Sequence, residues 1–350
     1  MLKIDRMIIK GYKSIENCDI ALHDINVIIG ANGAGKSNFI SVFKMLGSIY
    51  DKNLQRFVSK NGGPDSLLHF GRKKTKSIEV LVLADERYEF KLSPTADNRM
   101  MFEEEISYWG ETNQLMHEES KAGHFESLIK FKKENMPRVY HFHDTSETAY
   151  VKGLNEINDN LFLKSDASNL AAFLYRLKAA QASSYERIIK TIRMAAPFFN
   201  DFVLRPTPLN QNKIELEWYE VGCDIPFKAM HLSDGTLRFI CLATALLQPE
   251  DLQPNIILID EPELGLHPYA ITILASLIKS VSKRERQVII STQSIDLLNE
   301  FDVDDVIVAD RESNSSVFKR LDENHLKLWL EDYSLGELWE KNLLGGRPAT

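Results

Sequence analysis

The chain is poor in cysteine and has no long hydrophobic run. Its three cysteines, Cys18, Cys223 and Cys241, are scattered through 350 residues without CxxC spacing. They therefore outline neither a disulfide framework nor a zinc site, and reduced thiols are expected. No apolar stretch approaches the roughly 20 residues that a membrane-spanning helix needs. The opening MLKIDRMIIKGYKS alternates instead of forming the apolar core of a signal peptide. These absences lead to the expectation of a cytoplasmic protein with no membrane partner. Excess positive charge is missing too: a formal net charge of -8 excludes nucleic-acid binding through overall charge, so any such surface has to be a local patch. There is no internal repeat and no low-complexity segment.

What is present is ordinary globular material, with 44% hydrophobic and 26% charged residues and enough length for a substantial core in one large domain or two. LKIDRMIIKGY and CDIALHDINVIIG read as strands, alternating at first and then crowding as in a strand buried on both faces. A glycine-rich loop follows, then KSNFISVFKMLGSIY with Phe39, Ile40, Phe43, Leu46 and Tyr50 at helical spacing. From SIEVLVLADERYEFKLSP onward, alternation broken by turns predicts an antiparallel meander. Residues 166–200 predict a short helical insert, with Ser183 and Ser184 as caps between two helices. The C-terminal half then alternates: strand KIELEWYEV, helix TLRFICLATALL, strand NIILID, helix YAITILASLIKSV, strand QVIIST. Such alternation implies a mostly parallel sheet covered by helices, an α/β fold.

Three stretches carry chemistry. GANGAGKS, Gly30–Ser37, fits the P-loop pattern G-x-x-x-x-G-K-[ST] in full, between a strand and a helix as the motif requires. Its glycines let backbone N–H groups of Asn32, Gly33, Ala34, Gly35, Lys36, Ser37 and Asn38 turn toward phosphate oxygens. Lys36 reaches the β- and γ-phosphates of ATP, and the Ser37 hydroxyl ligates Mg²⁺. NIILID followed by EP places Asp260 at the carboxyl end of an apolar strand, where it can hold Mg²⁺ through water, while Glu261 can polarise the attacking water. LSDGT, with Ser233, Asp234, Gly235 and Thr236, opens a helix and makes a second anion site, which a single P-loop does not need for its own nucleotide. It points to a nucleotide held by a partner; the plain alternative is an N-cap in which Ser233 serves only its own helix.

P-loop, signature loop, then hydrophobic strand plus DE, in that order, resembles the ABC-type ATPases. Within them the chain resembles the RecF, SMC and OLD group of DNA repair, chromosome organisation and phage defence, and closest the compact bacterial AAA-family ATPases that are single heads without a coiled coil. MIIKGYKSIENCDIAL resembles that group's opening strands, and DEPELGLHP, with Gly265 and His267, its D-loop. GGPDSLLHFGRKKT, YHFHDTS, LSDGTLRF, STQS and YSLGELWEKNLLGGRP extend the likeness over nearly the whole chain. The resemblance implies a P-loop NTPase head in two lobes: lobe I over 1–150, a helical insert over 151–205 and lobe II over 206–350. It also implies ATP-dependent head-to-tail dimerisation, with Ser233 and Gly235 of one copy facing the other copy's nucleotide. Partners expected on this basis are a second copy, a separate nuclease or Toprim-like effector, and DNA.

Gln293, in ISTQS, occupies the place of the switch histidine of ABC ATPases. Glutamine both donates and accepts hydrogen bonds and does not titrate near neutral pH, so slow but real turnover is expected. The alternatives weighed are a transporter's nucleotide-binding subunit, disfavoured by LSDGT and Gln293, and a non-hydrolysing ATP-gated module. The family's nucleotide-sensing loop is expected near YHFHDTS, where His143 or Asp144 stands in for its glutamine. His141, His143 and Asp144 also outline a metal site that lacks a further ligand. Asp302, Asp304, Asp305 and Asp310 read as an acidic strand edge. Arg72, Lys73, Lys74 and Lys76, and Arg187, Lys190 and Arg193 at i, i+3, i+6, are basic clusters whose ordinary role is a solvated face.

Overall fold

The computed structural model describes residues 3–109, 116–120, 123–128 and 137–346. The chain divides into two compact units interleaved along the sequence. The first spans Met1–Val139, Pro254–Asp260 and Glu285–Thr350, and the second Tyr140–Gln253 and Glu261–Arg284.

The first unit begins with β1 (Ile4–Tyr12), which turns at Lys13, in the left-handed conformation with φ 48, and returns as β2 (Ile15–Ala21), Tyr12 opposite Ile15. After a break at Leu22–Asp24 comes β3 (Ile25–Ile29), buried at all five positions, as a strand covered on both faces must be. Helices α1 (Lys36–Tyr50), α2 (Leu54–Lys60) and α3 (Pro64–Leu67) follow. The expected meander is β4 (Ile78–Ala84), β5 (Arg87–Pro94), β6 (Met100–Trp109) and β7 (Met116–Ser120), in an antiparallel sheet of order β2-β1-β4-β5-β6-β7. Its period of two shows directly in β4, which buries Ile78, Val80 and Val82.

After β8 (Arg138–Tyr140) the chain enters the second unit, which holds β9 (Asn155–Glu156), β10 (Phe199–Val203), β11 (Pro206–Thr207), β12 (Asn210–Ile214), β13 (Glu217–Glu220) and β14 (Phe227–Lys228). These make two small sheets, β10-β13-β14 and β11-β12-β9. KIELEWYEV is thus two strands in different sheets, not one. The helical insert is α4 (Leu170–Ala180) and α5 (Ala182–Ala195). Its break falls at Gln181, which precedes α5 without a side-chain cap, so Ser183 and Ser184 lie inside the first turn and do not cap it. Helix α6 (Asp234–Leu247) buries every residue from Leu237 to Leu247 and packs against α5 and α7 (Pro268–Ser282). An apolar surface all round requires such enclosure.

Back in the first unit, β15 (Ile256–Asp260), β16 (Gln287–Ser291), β17 (Val306–Glu312) and β18 (Ser315–Arg320) complete a sheet of order β18-β17-β3-β16-β15-β8. Helices α8 (Ile295–Leu298), α9 (Glu323–Leu330) and α10 (Leu335–Glu340) belong here too. β3, β15, β16 and β17 pair in parallel, whereas β18 is antiparallel to β17. Pairing of β16 and β17 with β3 is why residues after 285 join the N-terminal unit. The expected sequential lobes, cut at 150 and 205, do not coincide with these boundaries.

Helix α1 shares one core with both sheets of its unit: Phe39, Ile40, Phe43 and Leu46 cluster with Met7 and Ile9 from one and Leu258 and Ile289 from the other. The Phe39 ring stands 5.7 Å from Phe43 and 5.2 Å from Phe318. Each fully buried apolar side chain stabilises by about 1.5–3 kcal/mol, which anchors the helix that follows the P-loop. Among the described residues no helix is long and apolar enough to cross a membrane.

Candidate nucleotide site

Parallel pairing brings three strand ends together. β16 pairs with β3 on one side and β15 on the other, with Asp260 opposite Ser291 and Ser291 opposite Ile28. Thr292 extends the pairing by donating its N–H to Ile28 O at 3.0 Å. The loop after β3, the acidic end of β15 and the segment Ser291–Gln293 therefore share the carboxyl edge of one sheet, where open α/β sheets hold ligands.

Helix α1 starts at Gly35 (φ 111) with no side-chain cap and no acidic residue in its first turn, leaving its N–H groups for an anion. Lys36 is buried at 6% exposure, and its Nζ donates to Gly30 O at 2.6 Å and Ala31 O at 3.1 Å. Asn32, Gly33 and Ser37 are exposed to solvent. Asn38 turns toward the β1–β2 hairpin instead, its Nδ2 donating to Ser14 Oγ at 2.7 Å. Ser14 in turn receives the Ser316 hydroxyl at 2.7 Å. The GYKS turn thus braces the start of α1.

Asp260 is buried, and its carboxylate accepts the Ser291 hydroxyl. Glu261 follows with φ 44, a left-handed conformation that costs a non-glycine residue and concentrates at functional sites. Gln293 is half-buried one residue before Ser294, which caps α8 by accepting from Leu297 N. The cap there is the serine and not the glutamine.

In the second unit, Ser233 caps α6: its Oγ accepts from Thr236 N at 3.1 Å and lies 2.8 Å from Thr236 Oγ1. Asp234 is exposed, 3.7 Å from Lys152 Nζ. Gly235 has its Cα against Gly265 O, so closely that a Cβ would collide; this contact joins the LSDGT turn to the turn before α7. His267 caps α7, its Nδ1 accepting from Tyr269 N at 3.3 Å, with Pro268 in the first turn.

Known proteins resemble this chain in sequence and in fold. The family described as "AAA domain, putative AbiEii toxin, Type IV TA system" matches residues 25–299, which takes in the P-loop, LSDGT, Asp260 and Gln293. The chain belongs to this AAA family. Phosphate import ATP-binding protein PstB 1 of Lactobacillus acidophilus is 23% identical over 185 residues, 48% of this chain and 68% of that protein. The Smc head bound to the C-winged helix domain of ScpA superposes with a TM-score of 0.60 at 16% identity, covering 92% of this chain and 99% of that one. A Smc head with an extended coiled coil, bound to the C-terminal domain of ScpA derived from Pyrococcus furiosus, gives 0.59 at 15% identity, with 95% and 99% coverage. The AAA-family chain is thus a P-loop ATPase of ABC type with an SMC-head-like fold, its parallel core sheet joined by an antiparallel meander and a short helical insert.

Sequence reasoning missed Arg238. It is buried, and within the second unit its Nε donates to Phe142 O at 3.0 Å, its Nη2 to His143 O at 3.3 Å and its Nη1 to Leu264 O. One guanidinium ties the signature helix to YHFHDTS and to the turn before α7. A lone arginine in an otherwise apolar helix was the available signal. Asp144 accepts from Ser146 N and Oγ, and these bonds hold its carboxyl below the usual range. The His141 and His143 rings lie 4.0 Å apart, beyond the end of β8, and no metal-holding group of three or more such side chains occurs among the described residues.

The basic clusters are partly consumed. Arg72 binds Asp65, Thr95 O and Asn98, while Lys74 lies over the Phe70 ring. Arg187, Lys190 and Arg193 share the exposed face of α5, but Arg193 donates to Asn200 O at 2.7 Å. Of the acidic residues, Asp302 and Asp305 form a capping box, and Asp310 lies in β17.

Proposed function

We propose that this AAA-family chain binds and hydrolyses ATP, and that a second copy completes each nucleotide site. The observation that carries the reading is the convergence of the P-loop, Asp260 and Ser291–Gln293 on one sheet edge. The groups there suit Mg-ATP: an uncapped helix N-terminus, a buried lysine held by backbone carbonyls, an exposed Ser37 and a buried carboxylate steadied by a serine. Ser37 and Asp260 would hold Mg²⁺, which neutralises phosphate charge. Lys36 and the N–H groups from Asn32 to Asn38 bind the phosphates. Glu261 accepts the proton of the attacking water, and Gln293 orients that water or the phosphate by donating and accepting hydrogen bonds. ATP and water give ADP and phosphate.

The pairing of two copies rests on the second anion site. Ser233, Asp234, Gly235 and Thr236 open α6 in one unit, while the P-loop belongs to the other. Placed against a second copy's nucleotide, with Gly265 and His267 alongside, they make binding drive association and hydrolysis release it. We place the role in repair or phage defence, acting on DNA or through a separate nuclease or Toprim-like effector. Arg187, Lys190 and Arg193 are the residues for DNA, and their charge reversal should flatten the salt dependence of any DNA binding.

Phosphate release by the purified chain tests the reading. Turnover should vanish with Lys36→Ala and fall about 10²–10⁴-fold with Glu261→Gln. ATP binding without release, even in a single-turnover assay, would leave an ATP-gated module instead. Similarity to PstB 1 favours a transporter subunit as the second reading, and co-purification with a membrane permease would establish it.

A further inference from the structure

The C-terminal segment is pinned at both ends near the proposed ATP site. At its start, Gly336 donates its N–H to Asn299 Oδ1 at 2.7 Å and packs on Ile295, so α10 sits on α8, the helix that begins just after Gln293. Ser334 and Glu337 close a capping box that fixes this start. At its end, Gly346 donates its N–H to Asp310 Oδ2 at 3.1 Å and accepts the Ala31 N–H at 2.6 Å. Gly346 has φ 77, and a Cβ there would lie 2.9 Å from Val308 Cγ1 and 3.3 Å from Gly30 Cα, so only glycine fits this approach. Gly30 and Ala31 are the residues whose carbonyls hold Lys36 Nζ.

We infer that Asp310 and Gly346 are positioning residues for Lys36, and that Leu335–Gly346 is a strap holding the first turn of the P-loop in its ATP-accepting form. The inference rests on the ATPase reading above. Carboxylate, glycine, P-loop backbone and lysine ammonium form one continuous hydrogen-bonded chain: Asp310 fixes Gly346, Gly346 fixes Ala31, and the Gly30 and Ala31 carbonyls fix Lys36. These links end on the lysine that binds the phosphates, so the strap governs nucleotide affinity more than the chemical step.

The test compares the full chain with Asp310→Ala, Gly346→Ala and Asp310→Asn, reading Mg-ATP affinity by calorimetry, KM and kcat by phosphate release, and the melting temperature without nucleotide. Asp310→Ala and Gly346→Ala should raise Kd and KM about tenfold, the scale of one lost hydrogen bond, with kcat little changed in both and the melting temperature little changed in Asp310→Ala. Asp310→Asn keeps an acceptor oxygen and should recover most of the affinity lost in Asp310→Ala. A chain ending at Leu344 should share the weakened affinity, which keeps the test open should Gly346→Ala fold poorly. Equal ATP affinity in all variants, or a drop in melting temperature with affinity retained, would overturn the strap. A parent that binds no Mg-ATP would overturn the ATPase reading as well, and so tells the two failures apart.

Discussion

Ser291 donates its hydroxyl hydrogen to the Asp260 carboxylate across the parallel pairing of β16 and β15. Both side chains are buried, Ser291 fully, so the bond holds one rotamer of the carboxylate proposed to face Mg²⁺. Groups that orient a metal-holding residue typically matter by about 10–100-fold in metal affinity or activity. Ser291→Ala should therefore shift the Mg²⁺ concentration for half-maximal turnover upward by about that factor at saturating ATP. An unchanged Mg²⁺ dependence would reduce Ser291 to a packing role.

Local pattern made the P-loop, the Asp260 strand and the meander legible: a glycine loop between a buried strand and an amphipathic helix, IILID before DE, and period-two burial in β4. What escaped depends on distance along the chain. Ser291, Ser14 and Ser316 acquire their roles only when strand register places them beside Asp260 and α1, and a serine carries no long-range signal of its own. Arg238 stood in plain view in TLRFICLATALL, but its three carbonyl acceptors lie in two remote turns. Ser183 and Ser184 misled because capping preference is local, whereas Gln181 breaks the chain. The two compact units depart from sequential cuts at 150 and 205 because the parallel sheet pairs β16 and β17 with β3.

Gln293 should contribute through hydrogen bonding alone. Gln293→Ala is expected to slow turnover about tenfold, the worth of one such bond, with ATP affinity retained. Gln293→His should remain active and gain a pH dependence in kcat near the ordinary histidine range, about 6.5. Parent-like turnover in Gln293→Ala, measured by phosphate release from pH 5.5 to 8.5, would remove the residue from the site.

Arg238 binds three carbonyls within the second unit. Arg238→Ala strands acceptors in a buried setting and should destabilise by about 1–3 kcal/mol, seen as a lower urea midpoint. Arg238→Lys cannot span the same fork and should recover only part of the loss. Equal midpoints for all three proteins would contradict the tie.

The thiols should differ in reactivity. Burial pushes Cys18 and Cys241 up to about 12, leaving both protonated and enclosed at neutral pH, whereas Cys223 is half-buried, its Sγ 3.6 Å from Ile225 O. Alkylation followed by mass spectrometry should modify Cys223 in the native chain and all three cysteines in urea. Native labelling of Cys241 at the rate of Cys223 would show that α6 is not enclosed as described.

The central claim is that ATP joins two copies through sites each chain supplies in two parts, and Glu261→Gln is the protein in which to measure it. Slowed hydrolysis should trap the joined state. Light scattering with Mg-ATP should then report twice the 40.0 kDa of one chain, with reversion on nucleotide removal and no doubling when Ser233→Arg is added. A Glu261→Gln chain that binds ATP yet stays at 40.0 kDa across a micromolar titration would contradict the account.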